Sequence, residues 1–487
     1  MVDVLLPAAG LARNPGKIAV SATPASWAGD TSDTPQLRRQ DWLTIAVIGI
    51  AHAASHFFQL VIPSLYVPLA QAFDLDFARL GLLVSAFYVV SGLGQASSGF
   101  VVDRIGARPV LWFGLSCFVA AAILIGTATG YGMLLLAACV GGVGNSVFHP
   151  VDYSLINHRI SSRRLGHAFS AHGLTGSLGW ALAPLFIATL TTLWGWRAAA
   201  FGVAVLVVVV LALTVFARGL LTSPGTARKA AHPATGAAAS VAPAAATGSA
   251  SAAVSPAQAD AALHAATPGE QVVPPTSVDE PAPAVATPTA METLRALLAK
   301  PALWGAFLFF ACTSIALSSV QNYTIPLLHD LYGVTAILAS SALSGYMVAS
   351  AVGMIAGGFL VSAQPHVERI VAISLVLAGA TLVLLASGSV PAGWAAAVIM
   401  VAGFCSGVAA PSRDMLIRRV TPKGAVGSVY GLVYCGMDVG AAVGPMLFGL
   451  MLDVGMLRGP WIGAGIAFVA AALLAQWIAL NARRAGQ

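Results

Sequence analysis

Residues 196–217 read WRAAAFGVAVLVVVVLALTVFA, with Arg197 their only charge. As an α-helix rising 1.5 Å per residue, this stretch is about 33 Å long, enough to cross a hydrocarbon core of roughly 30 Å. It is too long and too uniformly apolar for the ~10-residue alternating strands of an outer-membrane barrel. A transmembrane helix is the reading that remains. The same window finds eleven more, at about 42–68, 80–102, 109–128, 131–154, 166–190, 303–328, 335–361, 369–388, 393–416, 427–452 and 460–480. The predicted fold class is an all-α integral membrane protein of twelve transmembrane helices.

Composition agrees. Of 487 residues 58% are apolar and 9% charged, with a mean hydropathy of +0.84. A soluble domain carries about 25% charged residues, so an ordinary soluble enzyme is excluded. Cys117, Cys139, Cys312, Cys405 and Cys435 all lie in apolar runs and read as small buried hydrophobes, not as a disulfide framework. The net charge of +6 is explained by topology. With both termini in the cytoplasm, 21 of the 24 basic residues fall on that side and only Arg79, Arg197 and Arg458 on the other. This is a strong positive-inside signal. No basic patch with interleaved aromatics is present, so nucleic acid is dropped as a partner and the lipid bilayer takes its place.

The chain divides around a change in composition. Between Ala217 and Leu303 there is no Phe, Trp or Tyr, and 222–290 is dominated by Ala, Pro, Thr, Ser and Gly. Such a segment cannot bury enough apolar area to offset its chain entropy. The expected organisation is a disordered cytoplasmic tail (1–41), a six-helix bundle (42–217), a disordered cytoplasmic linker (218–302), a second six-helix bundle (303–480) and a short tail (481–487). METLRALLAK, at 291–300, reads as a short amphipathic helix closing the linker. Residues 1–11 are apolar but short and follow no basic residue, which argues against a signal peptide. The bundles are related by duplication. At an offset of 259, Ser85, Ser91, Gly94, Gly99 and Phe100 meet identical residues at Ser344, Ser350, Gly353, Gly358 and Phe359. At 261, Pro150, Gly166, Gly179 and Pro184 meet Pro411, Gly427, Gly440 and Pro445; at 263, Ser55 and Pro63 meet Ser318 and Pro326.

After span 2 the chain reads Gly99-Phe-Val-Val-Asp103-Arg104-Ile-Gly106-Ala-Arg108. This resembles the GxxxDRxGxR loop of the major facilitator superfamily, and with the twelve spans and the repeat the resemblance covers nearly the whole chain. It implies two pseudo-symmetric six-helix bundles working by alternating access. It also implies that Asp103 caps the cytoplasmic start of span 11, where a carboxylate is favoured at a helix N-terminus. Ala107 stands where a basic residue is usual, leaving Arg104 or Arg108 to carry any charge relay, and Ser362 stands at the second-half copy of the Asp. The other reading of this loop is a basic segment that only fixes topology. GGVGNSVFHP, at 141–150, resembles the fosmidomycin-resistance type of bacterial exporter. Its glycines, and those of spans 5 and 11, read as sites of close helix approach.

Polar residues inside spans are costly and point to function or to buried pairs. His52, Ser55, His56 and Gln59, spaced i, i+3, i+4 and i+7, share one face of span 1. Span 7 answers with Gln321, Asn322 and Tyr323. With Asn145 and His149 of span 4 these form the expected substrate path, since the resemblance implies a cavity lined by spans 1, 4, 7 and 10. Helix–helix hydrogen bonding is the competing explanation. Asp152 and Arg413 occupy related places in spans 4 and 10 and carry opposite charge. They read as gate charges, or as proton and anion contacts. Asp438 lies about 18 Å into span 11 with no basic residue within a turn. With His172 of span 5 it is the candidate for proton coupling. A permanently protonated Asp438 and a structural His172 are the alternatives. No metal-ligand spacing emerges: the pair His52 and His56 has no carboxylate or cysteine on its helix face.

The expected function is therefore a secondary transporter in the bacterial inner membrane, not an enzyme. It would export a small organic molecule in exchange for protons, as a monomer and without a cofactor. A proton-linked importer of an organic anion and a non-transporting membrane sensor are the rival readings.

Overall fold

The computed structural model describes residues 33–222, 301–363, 366–420 and 426–485, and among them every regular element is helical. Twelve helical stretches among the described residues are long and apolar enough to cross a membrane. Span 1 is Pro35–Gln59, span 2 Phe77–Ile105, span 3 Ala107–Gly126, span 5 Leu165–Trp194 and span 6 Trp196–Phe216. Span 4 is built of Tyr131–Asn145 and Phe148–Arg159. The second set is Pro301–Tyr332, Ala336–Ala363, Val367–Ser387, Ala392–Val420, Val426–Asp453 and Gly459–Ala485.

The expected domain limits shift at their edges. Residues 35–41, assigned to a disordered tail, are helical. Thr34 caps this helix by accepting from the Leu37 N–H at 3.2 Å, and Pro35 sits where a missing N–H costs nothing. Asp41 is fully buried and accepts from Arg164 Nη1 at 2.9 Å and from Ser161 Oγ at 2.6 Å. The Arg164 guanidinium also pairs with Asp33 and holds its carboxyl below the usual carboxylate range. These charges tie the start of span 1 to the turn before span 5. Residues 1–32 and 223–300, which include the expected 291–300 helix, lie outside the described residues. The second set of spans starts at Pro301, and its last helix reaches Ala485.

Two spans break where sequence periodicity runs straight through. Pro150 has no N–H to give to the carbonyl of Ser146, and span 4 interrupts at Ser146–Val147. Ser98 Oγ of span 2 donates to that freed carbonyl at 3.0 Å, so it is not left unsatisfied in the bilayer. Pro63 similarly follows a break at Leu60, after which the chain continues as Val61–Ser64 and Tyr66–Phe73. The related prolines Pro326 and Pro411 are accommodated inside unbroken helices.

The two sets of six meet chiefly through spans 2 and 11 and through spans 5 and 8. At the end of the bundle away from the termini they are sealed together. Asp453, the last residue of span 11, accepts from the first amides of span 2: Phe77 N at 2.8 Å and Ala78 N at 2.7 Å. A carboxylate of one half thus caps a helix of the other. Beneath it the backbones touch. A Cβ on Gly449 would lie 2.3 Å from the Phe77 carbonyl oxygen, and one on Gly81 would lie 2.3 Å from the Pro445 oxygen. Tyr323 donates to that same Pro445 carbonyl, Tyr66 donates to Asn322 Oδ1 at 3.2 Å, and both tyrosines are buried. The contact expected of Asp103 at the other end is not visible: Asp103 is exposed, and 421–425 lie outside the described residues.

Removing the Asp453 carboxylate tests the cap. Loss of a capping side chain costs about 0.5–2 kcal/mol, or a roughly 2- to 30-fold shift toward opening at this end. In an Asn322→Cys variant lacking the five native cysteines, Asp453→Ala should speed alkylation by that factor. An unchanged rate would remove the cap from the account.

Candidate functional site

The polar face of span 1 packs against spans 4 and 5, and the positions singled out in sequence converge there. Asn145 is the hub of one group. Its Oδ1 accepts from Ser55 Oγ and Gln59 Nε2, both at 3.0 Å, and its Nδ2 donates to Ser91 Oγ of span 2 at 2.8 Å. Gln59 Oε1 accepts from Trp180 Nε1 at 2.9 Å. Ser91 and Trp180 were not among the expected site residues; each offers a single polar side-chain atom, and only the fold gives it a partner. Asn145→Ala would strip partners from three side chains at once, a loss of about 1–3 kcal/mol. It should lower the thermal unfolding midpoint of the detergent-solubilised protein by a few degrees; an unchanged midpoint would contradict the hub.

One turn nearer the start of span 1 lies a group of ionisable side chains. Asp152 is fully buried. Its Oδ2 receives His52 Nδ1 at 2.9 Å and His172 Nε2 at 3.1 Å. The His52 and His172 rings stack with centroids 3.5 Å apart. His149 and His56 complete the cluster, with centroids 5.7 and 4.5 Å from His52. His56 also packs on Trp180 at 4.3 Å. Span 5 approaches this closely because Gly176 faces the rings: a Cβ there would stand 3.0 Å from His52 Nε2.

This arrangement changes two expectations. Asp152 was read as a gate charge paired with Arg413 or as a proton contact; it is enclosed within the first half among histidines of spans 1, 4 and 5. His172 was read as sharing proton coupling with Asp438 or as a structural histidine; it belongs to this cluster. A third grouping is one that no spacing in the sequence showed. Ligand atoms of His52, His149 and His172 lie within 4.8 Å of one another. The set was missed because its members come from three spans, so no local spacing reveals it.

The other expected residues lie elsewhere. Gln321, Asn322 and Tyr323 are buried, and the last two join the sealed end described above. Arg413 pairs with neighbouring Asp414 at 2.8 Å, and its guanidinium lies over the Phe310 ring at 4.9 Å. Asp438 is half-buried at the seam between spans 11 and 2, where a Cβ on Gly92 would stand 3.7 Å from its carboxyl carbon. It has no hydrogen bond or ion pair among the described residues. Arg104 is exposed, and Arg108 donates to Thr222 Oγ1 at 2.9 Å. Gly106, at φ 92°, takes the positive-φ turn between spans 2 and 3.

Comparison with known proteins agrees with this architecture. The profile of the Major Facilitator Superfamily matches residues 47–411 and 319–486. The Fosmidomycin resistance protein of Escherichia coli K12 is 30% identical over 197 residues, which cover 40% of this chain and 48% of that protein. Multidrug resistance protein D of the same organism is 30% identical over 116 residues, 24% of this chain and 29% of its own length. The chain thus spans less than half the length of either relative. Among solved structures, a bacterial homologue of the human lysosomal transporter Spinster, in an inward-facing and occupied conformation, superposes with a TM-score of 0.64. It shares 14% identity and covers 93% of this chain and 98% of its own, a likeness of fold.

Proposed function

Because the chain belongs to the Major Facilitator Superfamily and is a multi-pass membrane transporter, we propose that it exports a small organic molecule in exchange for protons. One observation carries the coupling: Asp438 is a carboxylate at mid-span, on the seam between the halves, with no cationic partner among the described residues. An isolated carboxylate in such a place is costly when charged. Rocking of span 11 against span 2 changes its access to water, so it gains and loses a proton as the transporter alternates. Coupling rests on Asp438 alone, because His172 is engaged by Asp152.

The charge asymmetry supports an inner-membrane orientation with both termini in the cytoplasm. In that orientation the end sealed by Asp453 faces outward, and this state is closed to the outside. Asp103, Arg104 and Arg108 then work at the cytoplasmic end as the opposing latch. The substrate path runs along His52, Ser55, His56, Gln59, Asn145 and His149 toward Gln321, Asn322 and Tyr323. The names of the two relatives favour export and make fosmidomycin the first probe. The test uses the full chain in vesicles carrying a pH-sensitive dye: outward movement of fosmidomycin should drive protons inward. Fosmidomycin movement with no proton flux would refute coupling, and accumulation in the direction of import would reverse the assignment.

A further inference from the structure

We infer that His52, His149 and His172, with the charge of Asp152, form a binding site for one divalent transition-metal ion of the zinc class. This goes beyond the proposed export of an organic molecule and does not rest on it.

The first observation is convergence. Imidazole nitrogens from spans 1, 4 and 5 lie within 4.8 Å of one another. In a tetrahedral zinc site, with Zn–N bonds of about 2.0–2.1 Å, ligand atoms stand roughly 3.4 Å apart. To hold an ion, the widest pair closes by at most roughly 1.4 Å.

The second observation is independent of the distances. Buried polar atoms in membrane proteins are normally satisfied. Here four lie together without a protein partner: Asp152 Oδ1, His149 Nδ1 and both ring nitrogens of His56. Asp152 is 0% exposed and already takes two imidazoles on Oδ2, yet its other oxygen meets no donor. This group offers acceptors and a negative charge to something that is not protein.

The chemistry of the donors narrows the occupant. Imidazoles with a carboxylate suit divalent zinc, cobalt, nickel or copper, whereas calcium and magnesium prefer all-oxygen cages. None of the ligands is a thiolate, which argues against copper(I). Asp152 supplies part of the counter-charge a dication needs in a low-dielectric site. Through Oδ2 it also fixes how the His52 and His172 rings face, the carboxylate–histidine arrangement common around bound zinc.

The experiment uses the full chain, purified in detergent with any affinity tag removed, and zinc as the probe. After equilibration with micromolar zinc and dialysis, the protein should retain about one zinc per chain. X-ray absorption should show only nitrogen and oxygen ligands at about 2.0–2.1 Å, with imidazole scattering behind them. The variant His52→Gln/His149→Gln/His172→Gln should bind at least 100-fold more weakly, and Asp152→Asn roughly 10- to 100-fold more weakly. No retained zinc, or equal retention by a folded triple variant, would overturn the site. So would a sulfur shell near 2.3 Å, which would move the metal to a cysteine. The absorption spectrum is read on the unaltered chain, so the outcome holds even if the triple variant fails to fold.

Discussion

Asp438→Asn is expected to reduce substrate-driven proton movement to the leak of empty vesicles, while exchange of substrate for substrate continues. The asparagine keeps the size and hydrogen-bonding shape of a protonated aspartic acid but cannot exchange the proton. Among the described residues, Asp438 acts electrostatically on Tyr88 and Cys435, and neither is a base at neutral pH. The nearby backbone of span 2 is Gly92, which offers no side chain. The loss should therefore be near complete, on the order of 100-fold or more, as for removal of the only general base at a site. Exchange at equal pH separates coupling from folding: a misfolded variant loses both activities, an uncoupled one only the first. Proton movement at the unaltered rate in Asp438→Asn would end the assignment.

Gly449→Ala is expected to act as strongly, through sterics instead of charge. The added methyl would lie 2.3 Å from the Phe77 carbonyl oxygen and 2.7 Å from its carbon. Both belong to the first turn of span 2, held by its helix and by the Asp453 cap, so neither can step aside. The seam must part by about an ångström, which also pulls Gly81 from Pro445. Interiors packed to this density do not yield gradually, and forced overpacking costs about 1–3 kcal/mol or more. The closed end should give way to an open one by roughly 10- to 100-fold. Alkylation at Asn322→Cys should accelerate beyond the effect of Asp453→Ala, with net transport falling as the cycle stalls. Gly132→Ala is the matched control, since a Cβ there meets nothing within 4 Å. Alkylation equally slow in Gly449→Ala and Gly132→Ala would show that this end does not need the close approach.

Much of this was legible in the sequence, for a physical reason. The bilayer demands long apolar helices with internal hydrogen bonds, so the spans, their number and the duplication are written in local composition. The residues of span 1 were legible too, because four polar side chains at i, i+3, i+4 and i+7 can share only one face. Convergence was not. His172 belongs with His52 and Asp152 only because span 5 packs on span 1 at Gly176, and no periodicity within span 5 encodes that neighbour. Nothing local to span 11 marks Asp453, yet it caps a helix that begins 376 residues earlier. The break in span 4 was half legible. Pro150 announces it, but the rescue of the Ser146 carbonyl by Ser98 depends on the packing of span 2. The helical start at Pro35 was obscured by the polar composition of 33–41, which is ordered by Arg164 and not by apolar burial.

In the proposed cycle the two six-helix halves rock, closing one end as the other opens. Spin-label distances across both ends, measured in unaltered protein and in Gly449→Ala, test this without a substrate. Opposite movements are expected: in Gly449→Ala the pair spanning the Asp453 end lengthens while the pair spanning the end near the termini shortens. Lengthening at the Asp453 end with no change at the other would contradict it.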